Sequence, residues 1–141
     1  MLWALILMTS ATNNDVIPAN IPTDTITDFK QLGLISPLLA RLAELDYQQP
    51  TPIQAQSIPS ILEGRDLIGG ANTGSGKTAT FALPLLQQVS QKAINAGKQG
   101  EGNFVSALVL VPTRELAKQV ADSVRSYAVH FNGAIKTVAV F

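Results

Sequence analysis

One short segment of this chain has the residue types and the spacing of a phosphate-binding loop. It consists of Ala71, Asn72, Thr73, Gly74, Ser75, Gly76, Lys77 and Thr78. The apolar pair Leu67-Ile68 precedes it and a helix-like run, 79–83, follows it, which is the strand–turn–helix context that such a loop needs. Glycines allow backbone N–H groups to point at phosphate oxygens, and the N-terminus of the following helix favours negative charge. The sequence therefore predicts a nucleoside triphosphate site.

Two side chains of the phosphate-binding loop have the chemistry that a triphosphate requires. The Lys77 ammonium is expected to reach the β- and γ-phosphates, and the Thr78 hydroxyl is expected to be a Mg²⁺ ligand. We therefore predict Lys77 and Thr78 as the catalytic side chains of the loop. The generic pattern opens with Gly, whereas this chain has Ala71. The alternative is an ordinary Gly/Ser/Thr turn, which has no packing reason to contain a lysine.

The composition is that of a core-forming α/β chain. Hydrophobic residues make up 46% of the 141 residues and charged residues 14%. Ten basic and ten acidic residues cancel, so any contact with a polynucleotide must be local. The absence of cysteine excludes disulfides, thiolate zinc sites and thiol nucleophiles. We expect a cytoplasmic protein that does not enter a membrane.

The apolar start of the chain does not have the features of a targeting signal. Segment 1–8 is too short to span a bilayer and lacks a positively charged region. We interpret Met8 as the translation start and residues 1–7 as an upstream artefact. Residues 1–28 are expected to form a disordered lead-in, and residues 29–141 the domain.

Apolar spacing and capping residues predict four helices. Two are expected to begin at Ser36-Pro37 and Thr51-Pro52, where a capping residue precedes a proline. A third is expected to follow the phosphate-binding loop as far as about Lys92. Pro59 and Pro84 are expected to bend their helices. The fourth helix has an apolar stripe formed by Leu116, Val120, Val124, Tyr127 and Phe131, and Asn132-Gly133 is expected to end it.

Three apolar runs predict strands. They are Leu67-Ile68, 104–111 and 137–141, and the second is expected to be buried on both faces. Strands that alternate with helices form right-handed crossovers and a parallel sheet. The predicted fold class is therefore α/β, a partial P-loop NTPase domain in which helices flank about three parallel strands. A Gly-rich, polar connection is expected over residues 95–103.

The segment before the second helix has a pattern suited to binding a base. Gln54 lies in the first turn of that helix, where its amide can pair with the N6 amino group and the N7 acceptor of adenine. Tyr47 offers a flat surface on which the base can stack. The alternatives are a solvated surface glutamine and an ordinary core tyrosine.

The residues at the carboxyl end of the longest predicted strand are suited to contacting phosphates. Pro112, Thr113 and Arg114 lie where ligands of open parallel sheets bind, close to a helix N-terminus. Arg114 as a plain exposed arginine is the alternative. Glu115 is interpreted as an acid that favours the helix start, and His130 as a boundary residue without a nucleophile or metal partner.

The three motifs 50–54, 71–78 and 112–117 together resemble the N-terminal part of the first RecA-like domain of a DEAD-box ATP-dependent RNA helicase. The resemblance covers residues 29–141. It implies that Gln54 and Tyr47 bind the adenine of ATP, with Phe29 as the distant aromatic residue of the same motif. It also implies that the segment at 112–114 contacts the RNA sugar-phosphate backbone without sequence preference. Ala71 is common in this family.

The sequence departs from the family at several points. Asp46 stands where Gly is usual, and Asn72 stands where Gln is commonest. The Asp-Glu-Ala-Asp carboxylates and a second RecA-like domain are not among the 141 residues, and no Ser-Ala-Thr tripeptide follows the three motifs. We expect the full-length protein to couple ATP binding and hydrolysis to local RNA unwinding, and this fragment alone to be inactive. The alternatives are, from another class, a truncated product with at most weak nucleotide binding and, as a third option, another P-loop ATPase such as a kinase or transporter subunit.

Overall fold

The computed structural model describes residues 26–71, 74–96 and 105–141, with the side chains of 93–96 left out. These residues contain four α-helices and two short 3-10 helices. The α-helices are α1 (Ser36–Glu44), α2 (Pro52–Leu62), α3 (Lys77–Ala96) and α4 (Arg114–Tyr127), and the 3-10 helices are Phe29–Leu32 and Val129–Phe131. The predictions for residues 1–25, including the start at Met8, and for most of the Gly-rich connection lie outside the described residues. In the part that is described, no helix is long and apolar enough to cross a membrane.

The predicted starts of the first two helices are close to the observed ones. α2 begins at Pro52 after the N-cap Thr51, as predicted. α1 begins differently, because Ile35 is the N-cap and Ser36 is already helical. Pro37 is tolerated in this first turn because the N–H groups there have no intrahelical partner.

Neither internal proline ends its helix. α2 continues through Pro59 and α3 continues through Pro84. Pro84 is fully buried. Its packing therefore offsets part of the free-energy cost of the backbone hydrogen bond that a proline cannot donate. α3 reaches Ala96 and is therefore longer than predicted.

The core lies where α3 meets α2 and α4, and α1 adds buried leucines to the same cluster. α3 supplies Leu83 and Leu86, which are almost completely inaccessible to solvent. The residues that pack with them from the other helices are Leu38, Leu42, Ile58, Val120, Val124 and Tyr127. Each fully buried aliphatic side chain stabilises the fold by roughly 1.5–3 kcal/mol. The predicted apolar stripe of α4 is confirmed by this packing.

Side-chain hydrogen bonds fix α1 against its neighbours. Gln87 of α3 accepts a hydrogen bond from the Ile35 backbone N–H (2.9 Å) and donates one to the Gly33 carbonyl (3.1 Å). Arg41 of α1 donates to the Ser126 carbonyl near the end of α4 (2.7 Å). α4 ends at Tyr127, earlier than predicted, and Phe131 lies in the following 3-10 helix. Asn132 and Gly133, both with positive φ, end that 3-10 helix instead.

The three predicted strands are not strands in the described part of the chain. Residues 65–71, 105–111 and 136–141 have no regular structure, so the parallel sheet is not confirmed. A parallel ladder forms only where neighbouring segments are in register and both faces of the sheet are covered.

Burial alternates between covered and exposed residues at 67–71, 108–111 and 135–140, whereas 105–108 is exposed throughout. Val109, Val111 and Ile135 pack against the helical core, whereas Leu108 and Leu110 are 69% and 59% exposed. The prediction that 104–111 is buried on both faces is therefore wrong for its described residues. The other large exposed apolar side chains of these segments are Ile68, Val105, Val138, Val140 and Phe141. The helices thus cover only one side of each segment.

The exposed apolar side chains predict that the isolated 141-residue chain self-associates. We expect its apparent mass in light scattering to rise with protein concentration, because burying this surface releases ordered water. The double substitution Val138→Lys with Val140→Lys should lower that apparent mass.

Val129→Lys is the matched control, because Val129 is a 55% exposed valine outside the three segments. It should leave self-association unchanged. A monomer at every concentration, with a cooperative melt, would contradict the prediction.

Candidate nucleotide site

The phosphate-binding loop leads directly into α3. Gly74 and Gly76 both have φ of +83°, in the left-handed region that favours glycine. Consecutive backbone N–H groups in such a loop form an anion-binding concavity. α3 begins at Lys77, so its N-terminus adjoins this concavity. Asn72 and Thr73 lie outside the described residues.

The Gln54 and Thr51 side chains connect the start of α2 to the phosphate-binding loop by hydrogen bonds. The Gln54 Oε1 accepts a hydrogen bond from the Thr51 backbone N–H (2.9 Å), and its Nε2 donates to the Gly76 carbonyl (3.2 Å). The Thr51 hydroxyl donates to the Ser75 carbonyl (2.8 Å). Gln54 is only 1% exposed, so the alternative of a solvated surface glutamine is wrong.

The Gln54 amide keeps part of its hydrogen-bonding capacity. A primary amide has two N–H donors and two lone pairs on oxygen. One donor is directed to Gly76 and one lone pair to Thr51, which leaves one of each. That remainder is what a bidentate contact with N7 and N6 of adenine needs. In this conformation the amide faces the loop, and its adenine contact stays a prediction.

The close approach of Gly76 to Gln54 gives a stability prediction. A Cβ atom at Gly76 would overlap the Gln54 amide nitrogen, whereas one at Gly74 would meet nothing within 4 Å. Alanine at either position must adopt the left-handed backbone conformation, which costs about 1–2 kcal/mol. We expect Gly76→Ala to lower the free energy of unfolding by about 1–3 kcal/mol more than Gly74→Ala does.

Urea denaturation measures this difference in the free energy of unfolding. The same two substitutions made in a Gln54→Ala variant identify its cause. With Gln54→Ala already present, Gly76→Ala should cost no more than Gly74→Ala. An excess cost that persists without the Gln54 side chain would show that the contact is not responsible.

Two further polar groups of the phosphate-binding loop fit an anionic ligand. The Lys77 ammonium donates a hydrogen bond to the Ala71 carbonyl, so the lysine is folded over its own loop. The Ser75 hydroxyl oxygen is buried and has no hydrogen-bond partner among the described residues. A buried hydroxyl without a hydrogen bond costs the fold roughly 1–3 kcal/mol. A hydrogen bond to a phosphate oxygen would remove that cost.

The predicted aromatic residues Phe29 and Tyr47 form a cluster with Tyr127 of α4. The Phe29 and Tyr47 ring centroids are 6.1 Å apart, and those of Tyr47 and Tyr127 are 6.3 Å apart in an edge-to-face arrangement. The two tyrosine hydroxyls lie 3.1 Å apart. Tyr127 was expected only as part of the apolar stripe, since nothing in the sequence signals its hydroxyl contact. A groove of about 640 Å³ adjoins both tyrosines.

The departure at Asp46 leaves the expected turn intact. Asp46 has φ of +58°, so it adopts the left-handed conformation for which glycine is usual. Aspartate tolerates this region because its short side chain bonds locally, and here it accepts a hydrogen bond from the Gln48 amide (3.2 Å). Tyr47 therefore leaves the turn in a defined direction.

The start of α4 presents a polar, exposed segment. Thr113 is the N-cap, and its hydroxyl oxygen accepts a hydrogen bond from the Leu116 N–H (3.2 Å). Pro112 and Arg114 are exposed. The Arg114 guanidinium carbon lies 5.9 Å from the centroid of the Phe141 ring, a cation–π distance. Arg114 is exposed, so its contact with a polynucleotide stays a prediction beside the alternative of a plain exposed arginine.

His130 has a structural partner. It lies 2.8 Å from Glu44, which also pairs with Arg41 of the same helix. The hydrogen bond from Arg41, and then that with His130, lowers the pKa of the Glu44 carboxyl. Among the described residues, no three His, Asp or Glu side chains come together in a way that suits a metal.

A family model described as DEAD/DEAH box helicase matches residues 51–140, which include Gln54, the phosphate-binding loop and the start of α4. The chain belongs to the DEAD/DEAH box helicase family. The match confirms the resemblance that the three motifs carry.

Curated relatives agree with this assignment. The chain is 46% identical over 115 residues to the "ATP-dependent RNA helicase DeaD" of Escherichia coli, an alignment covering 82% of the chain and 17% of that relative. It is 47% identical over 110 residues to the "ATP-dependent rRNA helicase rrp-3" of Neurospora crassa, covering 77% of the chain and 20% of the relative. The chain thus spans about a fifth of the length of these helicases.

A solved helicase structure shares the backbone arrangement. The RNA-helicase Prp28 from Chaetomium thermophilum, bound to ADP, superposes with a TM-score of 0.64 at 41% identity, over 74% of this chain and 24% of Prp28. The RecA-like fold is supported by this likeness. The helices and the phosphate-binding loop are therefore those of a DEAD/DEAH box helicase domain, although the sheet is not formed in the described residues.

Proposed function

We propose that this chain is the ATP-binding part of an RNA helicase that couples ATP binding and hydrolysis to local opening of RNA. The observation that carries the proposal is the pair of hydrogen bonds by which Gln54 and Thr51 fasten the start of α2 to the phosphate-binding loop. They bring the Gln54 amide next to the Ser75 and Gly76 backbone, which supports one site for both base and phosphates. Family membership supports the same conclusion.

The phosphates of ATP would be held by the loop at 71–78. Backbone N–H groups around Gly74 and Gly76 would surround the phosphate oxygens, and Lys77 would exchange its contact with the Ala71 carbonyl for the β- and γ-phosphates. The Ser75 hydroxyl would gain its missing partner. Thr78, half-buried in the first turn of α3, is the residue suited to a Mg²⁺ ion on the phosphates. That ion, when bound, supplies positive charge that stabilises the transferred phosphoryl group.

The adenine would be bound by Gln54 and Tyr47, with Phe29 behind the Tyr47 ring. Gln54 would contribute its remaining donor and lone pair, and Tyr47 a stacking surface. Because Gln54 is buried in this conformation, adenine binding requires a local shift of the loop that covers it. Prp28, a structural neighbour, binds ADP, which supports an adenine nucleotide here.

RNA would bind at the start of α4. Thr113 and Arg114 offer a hydroxyl, a guanidinium and the N–H groups of the first helical turn to backbone phosphates. Such contacts carry no sequence information, so we propose RNA binding without strong sequence preference. The relatives' names as RNA helicases support RNA as the polynucleotide.

We also propose that residues 67–71, 105–111 and 136–141 become parallel strands in the complete domain. Burial at 67–71, 108–111 and 136–140 alternates with the period of a strand, and the exposed side chains of the three segments offer a second face to cover.

Nucleotide binding depends on the Lys77 ammonium in this proposal. In the whole protein that contains this chain, Lys77→Ala should weaken binding of a fluorescent ATP analogue about ten- to hundred-fold, because a charge-assisted contact is lost. Lys92→Ala, which removes an exposed lysine from the same helix, is the control and should bind as the parent does. Equal affinity for Lys77→Ala would remove the phosphate assignment.

The choice of base depends on Gln54. A bidentate base contact contributes about 1–3 kcal/mol of discrimination, so Gln54→Ala should reduce the preference for ATP over GTP roughly five-fold or more. Competition between the two nucleotides against the fluorescent analogue measures this preference. An undiminished preference in the variant would refute the adenine-reading role.

A further inference from the structure

We infer that Tyr127 is a positioning residue for nucleotide binding, because its hydroxyl holds the Tyr47 ring in the orientation in which adenine stacks on it. The inference rests on the proposed function and adds to it a residue outside the three motifs. Tyr127 would not touch the nucleotide; it would act through Tyr47.

Tyr47 lies in the loop between α1 and α2. Two neighbouring aromatic residues restrict rotation of its ring. Phe29 packs against the ring with its plane tilted by 60°, and Tyr127 meets it edge-on at 88°. The 3.1 Å contact between hydroxyls holds the far end of the Tyr47 ring. Packing alone permits sliding along a neighbour, whereas the hydroxyl contact fixes one point in space.

Tyr127 is itself rigidly held. It is 6% exposed and is the last residue of α4. Its neighbour Ser126 accepts two hydrogen bonds from Arg41 of α1, at the carbonyl oxygen (2.7 Å) and at the hydroxyl (3.1 Å). Tyr127 therefore lies on a helix that Arg41 joins to α1, whereas Tyr47 lies on a loop.

The Tyr127 hydroxyl keeps its proton at physiological pH. Burial, followed by the hydrogen bond with Tyr47, raises its pKa above the ordinary value for tyrosine. A neutral hydroxyl can donate to or accept from Tyr47, so the contact persists throughout the range in which an ATPase works.

A ring held in its binding orientation loses less rotational entropy when the base stacks on it. Loss of the hydroxyl contact should therefore weaken binding of nucleotides that carry a base and should not affect the phosphates. This difference separates a positioning role from a general contribution to stability.

The test compares ATP with inorganic tripolyphosphate, which lacks the base, as ligands of the whole protein that contains this chain. Tyr127→Phe keeps the buried ring and removes only the hydroxyl. We expect its Kd for ATP to rise about three- to ten-fold, the range for losing one neutral hydrogen bond, and its Kd for tripolyphosphate to stay unchanged. Tyr47→Phe should behave similarly, and the double variant should bind no more weakly than either single one.

Ser123→Ala is the matched control, because it removes a hydroxyl that bonds only within α4, to the Gln119 carbonyl (2.9 Å). It should bind both ligands as the parent does. Equal weakening of ATP and tripolyphosphate by Tyr127→Phe would overturn the inference in favour of a structural role.

The outcomes also distinguish this inference from the proposed function. If the parent binds ATP and Tyr127→Phe binds it equally well, the inference alone fails. If the parent binds neither ligand, or Lys77→Ala binds both as the parent does, the proposed function fails and the inference with it.

Discussion

The Gln54 side-chain amide joins the start of α2 to the phosphate-binding loop, and the candidate site depends on this link. One amide satisfies the Thr51 backbone N–H and the Gly76 carbonyl at once. The absence of a Cβ atom at Gly76 makes the approach possible, because a methyl group there would overlap the amide. The residue that is expected to read the base therefore also holds the loop that is expected to bind the phosphates. A base contact that reorients Gln54 necessarily acts on the loop as well.

The helical layer supports this link from one side. α3 carries the loop at its N-terminus and forms the centre of the core, so the loop is attached to the most buried element of the described chain. α1 and α4 are joined by Arg41, and Tyr127 of α4 contacts Tyr47, the middle ring of the aromatic cluster. Burial at 67–71, 108–111 and 136–140 alternates, which is the pattern of extended chain packed on one face only.

Residue patterns within a few positions of the sequence predicted most of the local structure. The Thr51-Pro52 helix start, the glycine loop before Lys77 and the stripe of α4 each follow from residue chemistry within a few positions, and each is observed. The parallel sheet could not be predicted from such patterns. Strand pairing depends on segments that are distant in sequence and on other elements that cover both faces of the sheet. The hydroxyl contact of Tyr127 escaped prediction for a related reason. A tyrosine at an apolar helix position looks like core, and only tertiary packing reveals its partner at position 47.

Hydrogen exchange at the backbone amides of residues 74–78 tests the central claim most directly. The claim is that Gln54 restrains the phosphate-binding loop through the Gly76 carbonyl. The account predicts faster exchange of these amides in Gln54→Ala than in the parent without nucleotide, while the amides of α4 exchange at the parent rate. Unchanged exchange in the loop would contradict it, because the loop would then hold its shape without the glutamine.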